Sequence, residues 1–141
     1  MGRLMGLDVG RRRIGIALSD PLGLTAQPFA VRRSVGRRED LEYLRDLVER
    51  EGVTEIVVGH PVRTDGSLGP EAAYVAQFAQ ELKRACPRCA VTLWDERFTT
   101  HEAERALTAQ GLKAPRRREV VDMAAAAILL QSYMQRRRSG R

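Results

Sequence analysis

The sequence predicts an α/β domain, a mixed five-stranded sheet with helices packed on its faces. Short apolar runs with strand character crowd the first third of the chain. Apolar residues at helical spacing fill the segments between the later strands. The resulting order is β-β-β-α-β-α-β-α-α. Strands joined by tight turns pair antiparallel, whereas strands separated by helices run parallel, so the sheet is mixed.

Leu4 to Val9 is an apolar run suited to a buried strand, and Gly10 to Arg13 is a turn. Arg13 to Ser19 alternates, with Ile14, Ile16 and Leu18 on one face and Gly15 and Ala17 on the other; the close spacing predicts a hairpin. Asp20-Pro21 and Gly23 form a second turn. Thr25 to Val31 is a third strand, confined to the sheet edge because Pro28 cannot donate to a ladder. Arg38 to Glu51 places Leu41, Leu44, Leu47 and Val48 on one helical face, with Gly52 as its stop. Glu55 to Gly59 is a strand buried on both faces. Pro70 to Cys86 is a helix ended by Pro87, and Ala90 to Trp94 is the fifth strand. Thr100 to Gln110 is an amphipathic helix stopped by Gly111, and a last helix runs from about Arg118 to Met134. Residues 1–135 form one domain, and 136–141 read as a frayed basic tail.

A chain of 141 residues buries roughly two-thirds of its unfolded surface and needs no disulfide staples. Its net charge of +6 favours a polyanionic partner. All but two of the 24 cationic residues are arginine, the side chain suited to bidentate phosphate contacts. A GC-rich genome also produces an arginine excess, but these arginines cluster: Arg11-Arg12-Arg13, Arg32-Arg33 with Arg37-Arg38, Arg116-Arg117-Arg118 and Arg136-Arg137-Arg138. The longest apolar run, Met123 to Leu130, is too short to span a bilayer, so no membrane is expected. The N-terminus lacks a long apolar signal core, and a cytoplasmic protein is expected. Cys86-Pro-Arg-Cys89 follows a helix instead of opening one, the wrong end for a redox dithiol, and His60 and His101 match no usual zinc spacing.

Most acids lie where a helix faces water, but three positions do not fit that account. Asp8 ends an apolar strand, where a bare charge is expensive, and Gly6 and Gly10 beside it leave room for a ligand to approach the backbone. A strand-end Asp also bonds its own turn in many proteins. Asp95-Glu96 closes the fifth strand, and strand parity sends the two side chains to opposite faces, so if the chain stays extended only one can meet Asp8. Asp122 is the only non-apolar residue from Val120 to Leu130, either a buried acid needing a cation or an N-cap of a helix that starts at Met123. Carboxylates that converge in one cleft repel each other, and a divalent cation reverses that logic. Oxygen-only ligands suit Mg²⁺ or Mn²⁺, which can activate water against a phosphodiester.

Gly6-Leu7-Asp8-Val9-Gly10, then Arg13-Ile14-Gly15-Ile16-Ala17, then Ser19-Asp20, resembles the opening of the YqgF/RuvX family. Three further blocks agree: Val58-Gly59-His60-Pro61 with Asp65-Gly66-Ser67; Asp95-Glu96-Arg97-Phe98-Thr99-Thr100; and Asp122 followed by Ala124-Ala125, Ile128-Leu129 and Gln131. Members are regarded as Holliday-junction resolvases or as nucleases that mature the small-subunit ribosomal RNA precursor. The resemblance implies a ribonuclease-H-like fold with strand order 3-2-1-4-5. It also implies acidic catalytic and metal-binding roles for Asp8, for Glu96 (with Asp95 as runner-up) and for Asp122. Many ribonuclease-H-like nucleases carry a further acid on the fourth strand; Ile56 to His60 offers none.

The expected activity is therefore a Mg²⁺- or Mn²⁺-dependent endonuclease. Its substrate is either a four-way DNA junction or the 5′ end of the 16S ribosomal RNA precursor. Arg11, Arg12, Arg13, Arg97, Arg116, Arg117 and Arg118 would contact the nucleic acid, together with Asp65, Gly66 and Ser67, whose loop offers backbone donors to phosphate. The rival reading is a non-catalytic nucleic-acid-binding protein of the same fold. Seven aromatics are too few for a base-stacking platform. A symmetric junction cutter would act as a homodimer.

Overall fold

The computed structural model describes residues 2–98 and 118–139. Strands β1 (Arg3–Val9), β2 (Arg13–Ser19), β3 (Ala26–Arg33), β4 (Val53–His60) and β5 (Ala90–Asp95) form one sheet in the order β3-β2-β1-β4-β5. β1 pairs antiparallel with β2, and β2 with β3; β1 pairs parallel with β4, and β4 with β5. β3 lies at an edge, as Pro28 requires, and its register with β2 shifts between Ile16 and Ala17. Among the described residues the α-helices are α1 (Arg37–Glu51), α2 (Pro70–Ala85) and α3 (Arg118–Arg138). The expected helix Thr100 to Gln110 lies outside the described residues.

Strand alternation divides the core in two. Met5, Leu7, Ile14, Ile16, Ile56 and Val58 face α1 and α2, where they meet Leu44, Leu47, Phe78 and Leu82. Burying each of these side chains contributes about 2 kcal/mol. The other face is built from small residues. Ala17 and Val57 pack on Ala126, Ala127, Leu129, Leu130 and Met134 of α3.

Glycines bring α3 down onto that second face. A Cβ at Gly6 would stand 2.8 Å from the Leu130 Cβ and 2.9 Å from the Ala126 carbonyl oxygen. The space at Gly6 is thus filled by a helix and does not admit a ligand, a correction to the expectation from sequence. Gly10 serves the hairpin, donating its N–H to the Arg13 carbonyl at 2.9 Å.

Ser19, Asp20 and Gln131 have structural work. The Ser19 hydroxyl accepts from the Leu4 N–H at 2.8 Å. The Asp20 carboxylate accepts the N–H groups of Leu22, Leu24 and Thr25 and closes the β2–β3 turn. Buried Gln131 accepts the Ala26 N–H at 2.9 Å, tying α3 to β3.

α3 also outlasts its expected end. Arg136 to Arg138 belong to the helix and do not form a frayed tail. Arg137 pairs with Glu55, and Arg138 donates to the carbonyls of Gly23 and Leu24 at 3.2 and 3.3 Å. Among the described residues no helix is long and apolar enough to cross a membrane. Cys86 and Cys89 are buried free thiols; burial, and secondarily Cys89, pushes Cys86 up to about 11, which makes it a poor nucleophile.

Candidate functional site

β1, β4 and β5 are parallel, so their C-terminal ends meet along one edge, where open α/β sheets place their ligand clefts. Asp8 shares the α3 side of β1 with Gly6 and is paired with Gly15 of β2. On its other flank lies Gly59, one residue beyond the Leu7–Val58 pair. Each flanking glycine makes room for another acid. A Cβ at Gly15 would stand 2.1 Å from the Asp122 carbonyl oxygen and 3.0 Å from its Cβ. A Cβ at Gly59 would stand 2.9 Å from Oε2 of Glu96, which follows β5 in a single 3₁₀ turn, Glu96–Phe98.

The three carboxylates therefore converge, and the electrostatics record it. Burial, then the charges of Glu96 and Asp122, push Asp8 up to about 6. Burial also raises Glu96; nearby His60 opposes that rise, and Asp95 adds to it. Parity separates Asp95 from the cluster. Asp95 grips Arg97, with Nη2 to Oδ2 at 2.6 Å and Nε to Oδ2 at 3.0 Å, and Arg97 holds it below the usual carboxylate range. Asp122 accepts from Arg13 Nε at 2.7 Å through Oδ2. It is no N-cap, because α3 begins at Arg118, and Val121 beside it is 46% exposed, so this turn of α3 is not buried on all sides as the apolar run suggests.

A cleft of about 290 Å³ opens over this floor, lined by Asp8 and Asp122 below and by Arg11, Arg12 and Arg13 at its rim. Arg11 pairs with Glu71 at 3.1 Å and lies over the Tyr74 ring. Asp65 accepts the Ser67 N–H and hydroxyl, while the N–H groups of Gly66 and Arg63 bond the carbonyls of Arg63 and Ser67. The N–H groups of Gly66 and Ser67, expected to cradle a phosphate, are thus used within the loop. The Arg97 guanidinium lies against this loop, 3.6 Å from the Cβ position of Gly66. Arg116, Arg117 and His101 lie outside the described residues, and Arg118 opens α3.

Among the described residues, no three acid, histidine or cysteine side chains already stand as a finished metal cage. The donor set still fits a hard divalent ion: it is oxygen-only, comes from three separate elements, and holds Asp8 and Glu96 against their own ionisation. His60, read from sequence as part of a family block and not as a site residue, has its Nε2 3.2 Å from the Ala72 carbonyl and lies beside the Asp95–Glu96 pair. Its signal was position alone: it ends the strand between β1 and β5.

The sequence pattern of the family described as RuvX, Holliday junction resolvase, matches residues 2–136. The chain belongs to the RuvX family. Relatives named as pre-16S rRNA nucleases include one from Moorella thermoacetica, 48% identical over 95% of each chain. Another, from Syntrophomonas wolfei, is 42% identical over 94% of this chain and 93% of its own. The fold matches that of Thermus thermophilus RuvC in complex with a Holliday junction substrate, at a TM-score of 0.65 and 15% identity over 99% and 97% of the two chains. It also matches the fowlpox virus resolvase, at a TM-score of 0.59 and 12% identity over 95% and 97%. The sheet is thus of the ribonuclease-H-like resolvase type, and the RuvX chain is a nuclease, a hydrolase of phosphodiester bonds. Nucleases of this fold generally depend on a divalent metal.

Proposed function

We propose that this RuvX chain is an endonuclease acting on the 5′ end of the 16S ribosomal RNA precursor, with Asp8, Glu96 and Asp122 holding Mg²⁺ or Mn²⁺. The observation that carries the reading is the convergence on Asp8 of Glu96, over Gly59, and Asp122, over Gly15, beside a cleft that Asp8 and Asp122 line together with Arg11, Arg12 and Arg13. The precursor is favoured over a four-way DNA junction by the full-length relatives at 42–48% identity that are named for it. The likeness to junction-bound RuvC is one of fold.

When bound, the ion would supply a water of lowered pKa and a counter-charge for the phosphodiester. Asp8, central between the other two acids, would hold it at the strand end, with Glu96 reaching across Gly59 and Asp122 descending from α3. Arg11 and Arg12 would dock the scissile backbone from the rim, and Arg97 would hold a flanking phosphate beside the Asp65–Ser67 loop. Asp95 stays with Arg97 and orients it. The work would be done in the cytoplasm, and a symmetric cut of a branched substrate would call for a homodimer.

The test is cleavage of precursor RNA and of a four-way junction by purified protein, with Mg²⁺ or Mn²⁺ and with a chelator, beside Asp8→Asn. Metal-dependent cleavage of the RNA is expected, lost in Asp8→Asn while binding persists. Full activity in Asp8→Asn rejects the site; cleavage of the junction alone rejects the substrate.

A further inference from the structure

We infer that Arg13 is a built-in second cation of the cleft, so that this chain takes up one divalent ion where a two-ion centre would need two. The inference rests on the metal-dependent reading above and goes beyond it in stoichiometry and in the role of one side chain.

Three observations lead there. The first is the contact itself. Arg13 Nε donates to Asp122 Oδ2 at 2.7 Å, and both side chains are only 22% exposed, so water screens the pair poorly. The guanidinium is held on Asp122, and both residues line the same cleft as Asp8. Arg13 takes one lone pair of Oδ2, and the rest of the Asp122 carboxylate is left for an ion.

The second is what β4 lacks. Two ions about 4 Å apart need carboxylates to bridge them and others to flank them. The strand beside Asp8 contributes Gly59 where it could have carried an acid, and Glu96 occupies the space above that glycine. The acid that β4 does carry, Glu55, accepts hydrogen bonds from Tyr133 and Arg137.

The third is charge. Three carboxylates beside one permanent guanidinium leave two negative charges, which one divalent ion neutralises. A second ion would leave the floor positive, and nothing in the Asp8–Glu96–Asp122 set would offset it. Arg13 acts through Asp122, as a positioning residue: it fixes the carboxylate and takes over the electrostatic part of a second metal.

The test counts Mn²⁺ per chain by paramagnetic resonance of the free ion, titrated into wild type, Arg13→Gln and Arg13→Lys. Wild type is expected to bind one ion. Arg13→Gln, with one positive charge fewer at the floor, should bind Mn²⁺ about tenfold more tightly or take a second ion. Arg13→Lys, which keeps the charge, should titrate like wild type. Two ions per wild-type chain overturn the inference, as does an Arg13→Gln protein that titrates like wild type. Should Arg13→Gln fail to fold, the wild-type count and the lysine variant still decide. A wild-type chain that binds no ion overturns the metal reading itself and takes this inference with it.

Discussion

The Cα of Gly15 faces the carbonyl of Asp122 so closely that a methyl group there would stand 2.1 Å from the oxygen. The third acid is therefore seated by backbone contact between α3 and β2. Gly15→Ala must lift the helix and should cost about 3 kcal/mol of stability along with cleavage. Gly59→Ala differs, because its methyl meets the ends of two side chains, Glu96 Oε2 and Leu129 Cδ2, each at 2.9 Å. It should cost about 1 kcal/mol yet slow cleavage at least about tenfold by displacing Glu96. Denaturant melts and turnover measured on both variants check the contrast; equal stability losses would show that the two glycines do the same work.

Asp8 titrates near 6 in the fold against 3.8 for an unperturbed side chain. The folded protein therefore binds the proton more tightly than the unfolded chain. The metal-free protein loses stability as pH rises from about 4 through 6, and the loss is complete above that window. Asp8→Asn removes the term: in chelator it should be more stable than wild type by about 2 kcal/mol at pH 7.5, with the gap gone at pH 4. Urea midpoints across that range measure it, and a gap that widens toward acid would contradict the assignment.

The two acids after β5 should separate sharply. Glu96→Gln removes a carboxylate from beside Asp8 and should lower turnover by about a hundredfold or more. Asp95→Asn loosens the Arg97 fork and should reduce turnover by less than about tenfold, mostly through weaker substrate binding. Single-turnover rates on one substrate resolve the two, and the reverse order would exchange their roles.

Arg12 lines the cleft and is exposed. Arg12→Gln should weaken binding to any nucleic acid and reduce the slope of log affinity against log salt by about 0.7 to 0.9, the value of one phosphate contact. A weakened affinity with an unchanged slope would place the residue off the backbone.

Much of this architecture was legible because local rules sufficed. The alternation of Arg13 to Ser19 separated the two faces of the sheet, Pro28 marked an edge, and strand parity put Asp95 on the face away from Asp8, whereas Glu96 is placed by a 3₁₀ turn. The acids were conspicuous because Asp8 and Asp122 sit in apolar company. What escaped depends on contacts between distant parts of the chain. Gly6, read as space for a ligand, is space for Leu130 and Ala126. Arg13, read as a phosphate contact, also finds Asp122 more than a hundred positions away. The last turn of α3 looked frayed because Arg137 and Arg138 have their partners, Glu55 and the Gly23–Leu24 carbonyls, on other elements.

One helix closes the smaller core and delivers an acid to the chemistry. The larger core on the opposite face shares none of that duty. Any change that lifts α3 should therefore open the smaller core and withdraw Asp122 in a single movement, because the acid rides on the same helix that Gly6 and Gly15 admit to the sheet.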